Sequence, residues 1–336
     1  KIINWGFIGL GNASINLAKE FEKIDNARLL SIASFTKIKR DYFKKKYNIQ
    51  DQNIFSDYED IFKKKELDII FIGLPNSMHE KYCIKALNNN KNVLVEKPIT
   101  SNILSLERIK KKFFEKNLLL EEGTANKFHP FYQKALNIVN KINYSKILKI
   151  KSNFGNDALG GRKFFGISLK KINYNKRLFN KDLHGGSILD GGIYPVSLLV
   201  DIFNRFNKNF DKDLKFINCE KKISKNIDLS STLYLMIDNI KIELKTSLIE
   251  KLNNNLEIYT SDEVIKLENI FTISLDSFIT YQNKHDKHRF INADNKNSYF
   301  YEIKEISNAI IENLNNSNKF YKIESNINLL SKWFSY

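Results

Sequence analysis

Three places in this sequence hold residues whose types and spacing could do chemistry. Near the start, Gly9, Gly11, Asn12, Ala13 and Ser14 stand between an apolar run and a run of helical spacing. Gly9 permits a tight turn, Gly11 lets the backbone approach a pyrophosphate, and the helix start at Asn12 and Ala13 points N–H groups at the negative charge. The bland alternative is a plain glycine turn. Further on, Lys97 ends the apolar run 92–95, and the proline after it stops that run from continuing. Past the middle, the stretch RLFNKDLHGGSILDGGIYPVSLL (177–199) sets Asp190 and Tyr194 four apart among glycines. Such a pair shares one face of a helix. A tyrosine can take or return a proton, and an aspartate beside it can orient a neighbour. The alternatives are a half-buried tyrosine and a helix-start aspartate.

Groups of this kind need a scaffold. A chain of 336 residues is long for one core, so two domains are expected. The first third alternates apolar strands (2–8, 29–34, 67–72, 92–95, 118–121) with helical patterns (13–24, 38–47, 58–65, 78–89, 103–115). Continuous apolar strands between amphipathic helices predict a parallel sheet covered on both faces. Right-handed crossovers then make it a doubly wound Rossmann domain of the α/β class, expected over 1–123. Ligands of such sheets bind at the carboxyl ends of the strands, where Lys97 stands. After Gly123 come runs with β alternation, KILKIKSNF, STLYLMI, KIELKTSLI and LEIYTS, with helices expected at 131–140 and 301–314. Grouped strands of this kind predict a second, α+β domain with a large, mostly antiparallel open sheet over 124–336. The polar segment 281–298 is expected to be a long loop.

The end of the second strand should choose the cofactor. An NAD site needs an acid there for the ribose hydroxyls. Here the sequence runs SIASFTKIKR, and the first acid, Asp41, falls inside the next helix. Ser34, Thr36, Lys39 and Arg40 are available to a 2′-phosphate instead, so NADP(H) is expected over NAD(H). They could equally be helix-cap and surface residues.

The formal net charge is +16, carried mostly by lysines spread along the chain beside abundant Asn and Ile. Arginine, the usual reader of bases and phosphates, is rare. Diffuse lysines point to solvated helix faces, so no nucleic-acid partner is expected. Cys83 and Cys219 form no C-x-x-C pair, which implies neither a disulfide framework nor a zinc site and suits a reducing compartment. His285 and His288 lie in a polar segment, and no metal is expected. The first residues run straight into a strand, with no signal peptide, and no apolar run approaches the ~18 residues needed to span a membrane. A cytoplasmic protein without a membrane partner is expected.

Four segments go beyond a generic dinucleotide fold: IGLPNSMHEKYCIKAL (72–87), KNVLVEKPITSN (91–102), EEGTANKFHPFYQKAL (121–136) and GGSILDGGIYPVSL within 177–199. In this order and spacing they resemble the glucose–fructose oxidoreductase/inositol dehydrogenase (Gfo/Idh/MocA) family. Within it they are most similar to the dihydrodiol dehydrogenase and NADP-dependent xylose dehydrogenase branch. The resemblance implies that Lys97, in Glu96-Lys97-Pro98, reaches nicotinamide and substrate, and that the bond before Pro98 is cis. Pro75, Asn76 and His79 match the segment lining the nicotinamide, with Glu96 beside it. Tyr194 stands where many relatives have His and this branch has Tyr. Lys127, in place of a usual Arg, matches a segment at the domain junction and is a substrate-side candidate; Arg177 matches a segment before the double glycine, where it could meet a substrate oxygen or merely close the loop. His184 replaces a common glycine close to the implied site, and Phe35 stands where NADP users of the branch have Arg.

A tyrosine titrates near ~10, and a neighbouring ammonium favours its phenolate. Lys97 and Tyr194 are therefore expected to act as an acid–base pair, with Asp190 orienting substrate or Lys97. The expected function is an NAD(P)-dependent oxidoreductase moving a hydride between nicotinamide and a carbinol or carbonyl carbon of a sugar, cyclitol or related polyhydroxy compound. Loops including 155–186 should set its specificity. The resemblance also implies a homodimer or higher homo-oligomer. The alternative is a non-catalytic nucleotide-sensing regulator on the same fold.

Overall fold

The computed structural model describes the chain except residues 161–162, 165–166, 169–170, 209 and 213, so part of the 155–186 region lies outside the described residues. Two compact units emerge, Lys1–Phe128 with Lys296–Ile323, and His129–Asn295 with Glu324–Tyr336. They are not the two linear halves 1–123 and 124–336. The chain returns to the first unit after the second has been built.

In the first unit, strands β1 (Ile3–Ile8), β2 (Ala27–Ala33), β3 (Ile54–Phe55), β4 (Ile69–Ile72), β5 (Asn92–Glu96) and β6 (Leu120–Gly123) form one parallel sheet in the order β3-β2-β1-β4-β5-β6. Helices α1 (Asn12–Ala18), α2 (Lys37–Tyr47), α3 (Tyr58–Ile61), α4 (His79–Asn88) and α5 (Ile103–Phe114) make the crossovers. Strand β4 is buried along its whole length, as a strand covered on both faces must be. The strand order reverses between β1 and β4, which opens the crevice where doubly wound sheets take ligands. The returning helix Ser298–Ile311 places Phe300, Ile303, Ile306 and Ile310 in the same core as Trp5, Phe7 and Phe71. The Trp5 indole also donates to Ser307 Oγ at 3.1 Å.

The second unit begins with α6 (Pro130–Val139) and β7 (Ile147–Gly155), followed by the short pair β8 (Lys163–Phe164) and β9 (Ile167–Ser168) and by α7 (Ile193–Arg205). Strands β10 (Leu214–Ser224), β11 (Ile227–Ile237), β12 (Ile240–Ser247), β13 (Asn255–Thr260), β14 (Glu263–Glu268), β15 (Phe278–Asn283) and β16 (Lys287–Ile291) complete an eight-stranded sheet with β7. Its order is β10-β11-β12-β7-β13-β14-β15-β16, antiparallel except where β12 meets β7. The segment expected as a loop at 281–298 instead holds most of the β15–β16 hairpin. All five residues of β16 are exposed, so this edge strand lacks the apolar alternation that would announce it.

A last helix, Phe320–Ser335, had no counterpart in the expected elements. Among the described residues the helical run Lys181–Arg205 is long and apolar enough to cross a membrane by length and composition, which corrects the expectation that none approaches that length. Most of that run is buried inside the protein, as a core helix is.

Candidate active site

At the first turn of the first unit, Gly9 has φ +79°, and a Cβ there would lie 2.6 Å from the Gly73 carbonyl oxygen. Only glycine fits. The Ser14 hydroxyl donates to the Gly9 carbonyl at 2.6 Å, and a Cβ on Gly73 would meet that hydroxyl at 2.5 Å. Ser14, in place of a third glycine, therefore binds back to the turn after β1 and lies close against Gly73 in the loop after β4. Gly11 differs, because a Cβ there would meet nothing within 4 Å. Its backbone faces open space at the start of α1, whose first N–H groups have no side-chain cap. This cradle fits a dinucleotide pyrophosphate.

At the end of β2, Ser34 is buried and its hydroxyl accepts the Thr36 N–H at 3.2 Å. The Arg40 guanidinium donates to the Ser34 carbonyl at 2.5 Å. Thr36 and Lys39 are exposed. Asp41 pairs with Lys37 at 2.7 Å, which holds its carboxyl below the usual range. Ser34, Thr36, Lys39 and Arg40 thus follow the end of β2, with Asp41 engaged by Lys37. Phe35 is 62% exposed and lies against the Tyr58 ring, centroids 4.4 Å apart.

After β4, Pro75 is half-buried and Asn76 is buried at the start of a short 3-10 turn. His79 stands at the start of α4, the helix-start position that the sequence equally allowed. It is 0% exposed, with Nδ1 at 2.9 Å from the Pro98 carbonyl and Nε2 at 2.9 Å from the Leu74 carbonyl. The ring ties the loop after β4 to the loop after β5. Glu96 and Lys97 are half-buried at the carboxyl end of β5, and the Lys97-Pro98 bond is cis, as the resemblance implies. The Ile99 N–H donates to Glu122 Oε1 at 2.9 Å, which fixes the chain just beyond.

Lys127 lies in the 3-10 turn Ala125–Phe128, where its charge acts on Glu121. Burial pushes the Glu121 carboxyl up to about 7 against the pull of Lys127 and of the Asn316 amide, 2.8 Å away. Glu302, on the returning helix, is 1% exposed and its carboxyl is raised well above the usual range by burial and by the charges of Glu96 and Glu121. The sequence offered no local signal for this acid group.

In the second unit, Asp190 sits in a π-helical turn, Ile188–Gly192, that runs into α7, so the segment expected as a plain helix start is wider than an α-turn. Such turns frequently mark functional sites. Arg177 Nη2 donates to Asp190 Oδ1 at 2.9 Å, closing the loop before the glycines. Tyr194 stands in the first turn of α7, half-buried, its ring centroid 4.6 Å from that of Phe154 and 6.0 Å from that of Phe271. His184, half-buried with φ 52°, ends the 3-10 turn Lys181–Leu183, and burial lowers its pKa. A Cβ on Gly185 would lie 2.5 Å from the Arg177 carbonyl oxygen, and one on Gly186, at φ +115°, would lie 2.2 Å from Asp228 Oδ1. The first glycine pair thus serves loop closure.

The geometry can be set beside known proteins. Residues 3–124 match the family profile of Gfo/Idh/MocA, described as an oxidoreductase family with an NAD-binding Rossmann fold. Trans-1,2-dihydrobenzene-1,2-diol dehydrogenase of Xenopus tropicalis is 26% identical over 209 residues, 60% of this chain and 56% of that protein, so the match spans little more than half of the relative's length. The scyllo-inositol 2-dehydrogenase (NADP(+)) of Bacillus subtilis is 23% identical over 312 residues, 93% of this chain and 89% of that one. Among solved structures, a 3-ketoreductase from Actinomadura kijaniata in complex with NADP and TDP-benzene superposes with a TM-score of 0.84 at 18% identity, covering 98% of this chain and 96% of that one. That likeness shows the fold. Residues 3–124 thus match the NAD-binding domain of the Gfo/Idh/MocA oxidoreductase family, and the fold of the Actinomadura kijaniata reductase extends over nearly the whole length of this chain.

Proposed function

We propose that this protein is an NAD(P)-dependent dehydrogenase or reductase acting on a CH–OH group of a sugar, cyclitol or related polyhydroxy compound, with NADP(H) preferred. The observation that carries the reading is the open cradle at Gly11, where a Cβ would meet nothing within 4 Å. Ser34, Thr36, Lys39 and Arg40 at the end of β2, with no carboxylate among them, favour a 2′-phosphate over bare ribose hydroxyls. The Bacillus subtilis relative is named as an NADP(+) enzyme, and the Actinomadura kijaniata reductase holds NADP.

An oxidised nicotinamide cofactor, held by the backbone at Gly9 and Gly11, would supply the hydride acceptor for the carbinol carbon. This chain's residues handle the proton. Tyr194 is proposed to take the hydroxyl proton while the C–H electron pair departs, and Lys97 is proposed to assist by its positive charge. In the reverse direction Tyr194 returns the proton to the carbonyl oxygen. Asp190, joined to Arg177, orients the substrate hydroxyls; Lys127 and His184 are proposed as further substrate contacts. We also propose a homodimer or higher homo-oligomer in a reducing cytoplasm, a setting that suits the free Cys83 and Cys219; light scattering reads the assembly.

A panel of sugars and polyols with NADP⁺ and NAD⁺, followed at the absorbance of reduced nicotinamide, tests the function. Turnover with NADP⁺ as the better cofactor is expected. Tyr194→Phe and Lys97→Ala should each lower kcat by about 10²–10⁴-fold, the range of acid–base catalysis, while nucleotide affinity stays within a few-fold. Full activity in both variants would sink the mechanism. Tight NADPH binding without turnover of any substrate would favour the regulator instead.

A further inference from the structure

The π turn that carries Asp190 is held by a residue from the sheet below it. Asp228, near the start of β11, is 5% exposed. Its Oδ2 accepts the Ser187 hydroxyl at 2.7 Å and the Ile188 backbone N–H at 2.7 Å. Ser187 is the residue before Ile188–Gly192, and its side chain makes no cap bond of its own. The first N–H groups of any helix lack intrahelical partners, and a negative charge there also meets the positive end of the helix dipole. Asp228 supplies both from 40 residues away in sequence.

Its other oxygen, Oδ1, has no hydrogen-bond partner among the described residues and lies against Gly186, where a Cβ would come within 2.2 Å. Two further contacts press the turn onto the same unit. The Thr246 hydroxyl donates to the Ser187 carbonyl at 3.0 Å, and a Cβ on Gly191 would lie 2.4 Å from that hydroxyl oxygen. A Cβ on Gly192 would lie 3.0 Å from the Trp333 ring, whose indole N–H donates to Ser231 Oγ at 2.8 Å. The glycines are where the turn touches its support, and the one charged group among those supports is Asp228.

We infer that Asp228 is a positioning residue for the proposed reaction: by binding Ser187 and Ile188 it sets the start of the π turn and hence where Asp190 and Tyr194 point. The inference rests on the proposed function only in its catalytic half. The local half, that Asp228 holds residues 187–194 in place, can be read without any substrate.

The test compares Asp228→Ala, Asp228→Asn and Ser187→Ala in the full chain. Hydrogen exchange should show Asp228→Ala losing amide protection in peptides covering 187–194 while the remaining peptides keep theirs. Asp228→Asn, which retains an acceptor oxygen, should preserve most of it. In steady state, Asp228→Ala should lose at least about 30-fold in kcat and shift the pH profile of kcat/KM, with NADP⁺ affinity within twofold. Asp228→Asn should recover kcat to within about fivefold, and Ser187→Ala should fall between. Unchanged protection at 187–194 in Asp228→Ala overturns the inference. So does wild-type kcat in a variant that has lost that protection. If Asp228→Ala does not fold, Asp228→Asn and Ser187→Ala decide the question by the same two readouts, full protection and full kcat in Ser187→Ala counting against it. A wild-type protein without turnover refutes the proposed function and the catalytic half together, and exchange then decides the local half alone.

Discussion

At the scale of single residues, the chemistry depends on groups whose charge is set by their surroundings. Glu121 shows how far burial can move one. Its carboxyl is pushed from the usual 4.5 up to about 7, so between those values the folded chain keeps a proton that the unfolded chain has released. Stability must then fall as pH rises from about 4.5 to about 7. Glu121→Gln cannot release that proton. The variant should gain in Tm relative to wild type at pH 8, and the gain should shrink toward pH 5, in thermal melts across that range. Glu302 is shifted in the same direction and leaves part of the slope in place. A variant tracking wild type at every pH would show that Glu121 is ordinary in the folded state.

At the scale of elements, glycines at two turns do opposite work, and substitutions should separate them. Gly11 faces open space, so Gly11→Val should fold with near wild-type Tm yet lose dinucleotide affinity by more than tenfold, since its side chain fills the approach to the backbone. Unchanged affinity in a fluorescence titration would remove the cradle from the argument for cofactor binding. Gly186 sits at φ +115° against Asp228. Gly186→Ala should therefore destabilise the fold by about 2–3 kcal/mol, the scale of local backbone strain, as read from urea unfolding. A cost below about 0.5 kcal/mol would mean that the turn can shift away from Asp228 without penalty.

At the scale of the whole molecule, the chain's order in sequence is not its order in space. Lys296–Ile323 belongs with the residues that begin the chain, and the helix Ser298–Ile311 covers Trp5 and its neighbours. A chain ending at Asn295 should leave that core exposed to water. It should show a broadened or absent thermal transition and no dinucleotide binding, measured by circular dichroism and titration. Retained binding would show that the returning helix is dispensable to the first unit. Lys44, Lys45 and Lys46 fall in the last turn of α2, where the helix dipole favours them.

Sequence alone determined the parts whose signal is local. Strand–turn–helix chemistry at residues 9–14 follows from backbone permission, since a turn at φ +79° excludes side chains. The continuous apolar strands between helices could only be a sheet covered on both faces. Tyr194, Asp190 and Lys97, the proposed acid–base group, could be singled out because few residue types move protons or hold charge. Only tertiary structure decided which groups support them. Asp228 reads as an ordinary residue in an alternating strand, and nothing near it in sequence announces Ser187 and Ile188 as partners. His79 looks from sequence like a ligand residue, yet packing closes it between two carbonyls. An exposed edge strand, Lys287–Ile291, carries no pattern because no core selects one. Local propensity and periodicity act along the chain, whereas caps, carboxylate clusters and close backbone approaches exist only once distant segments have been brought together.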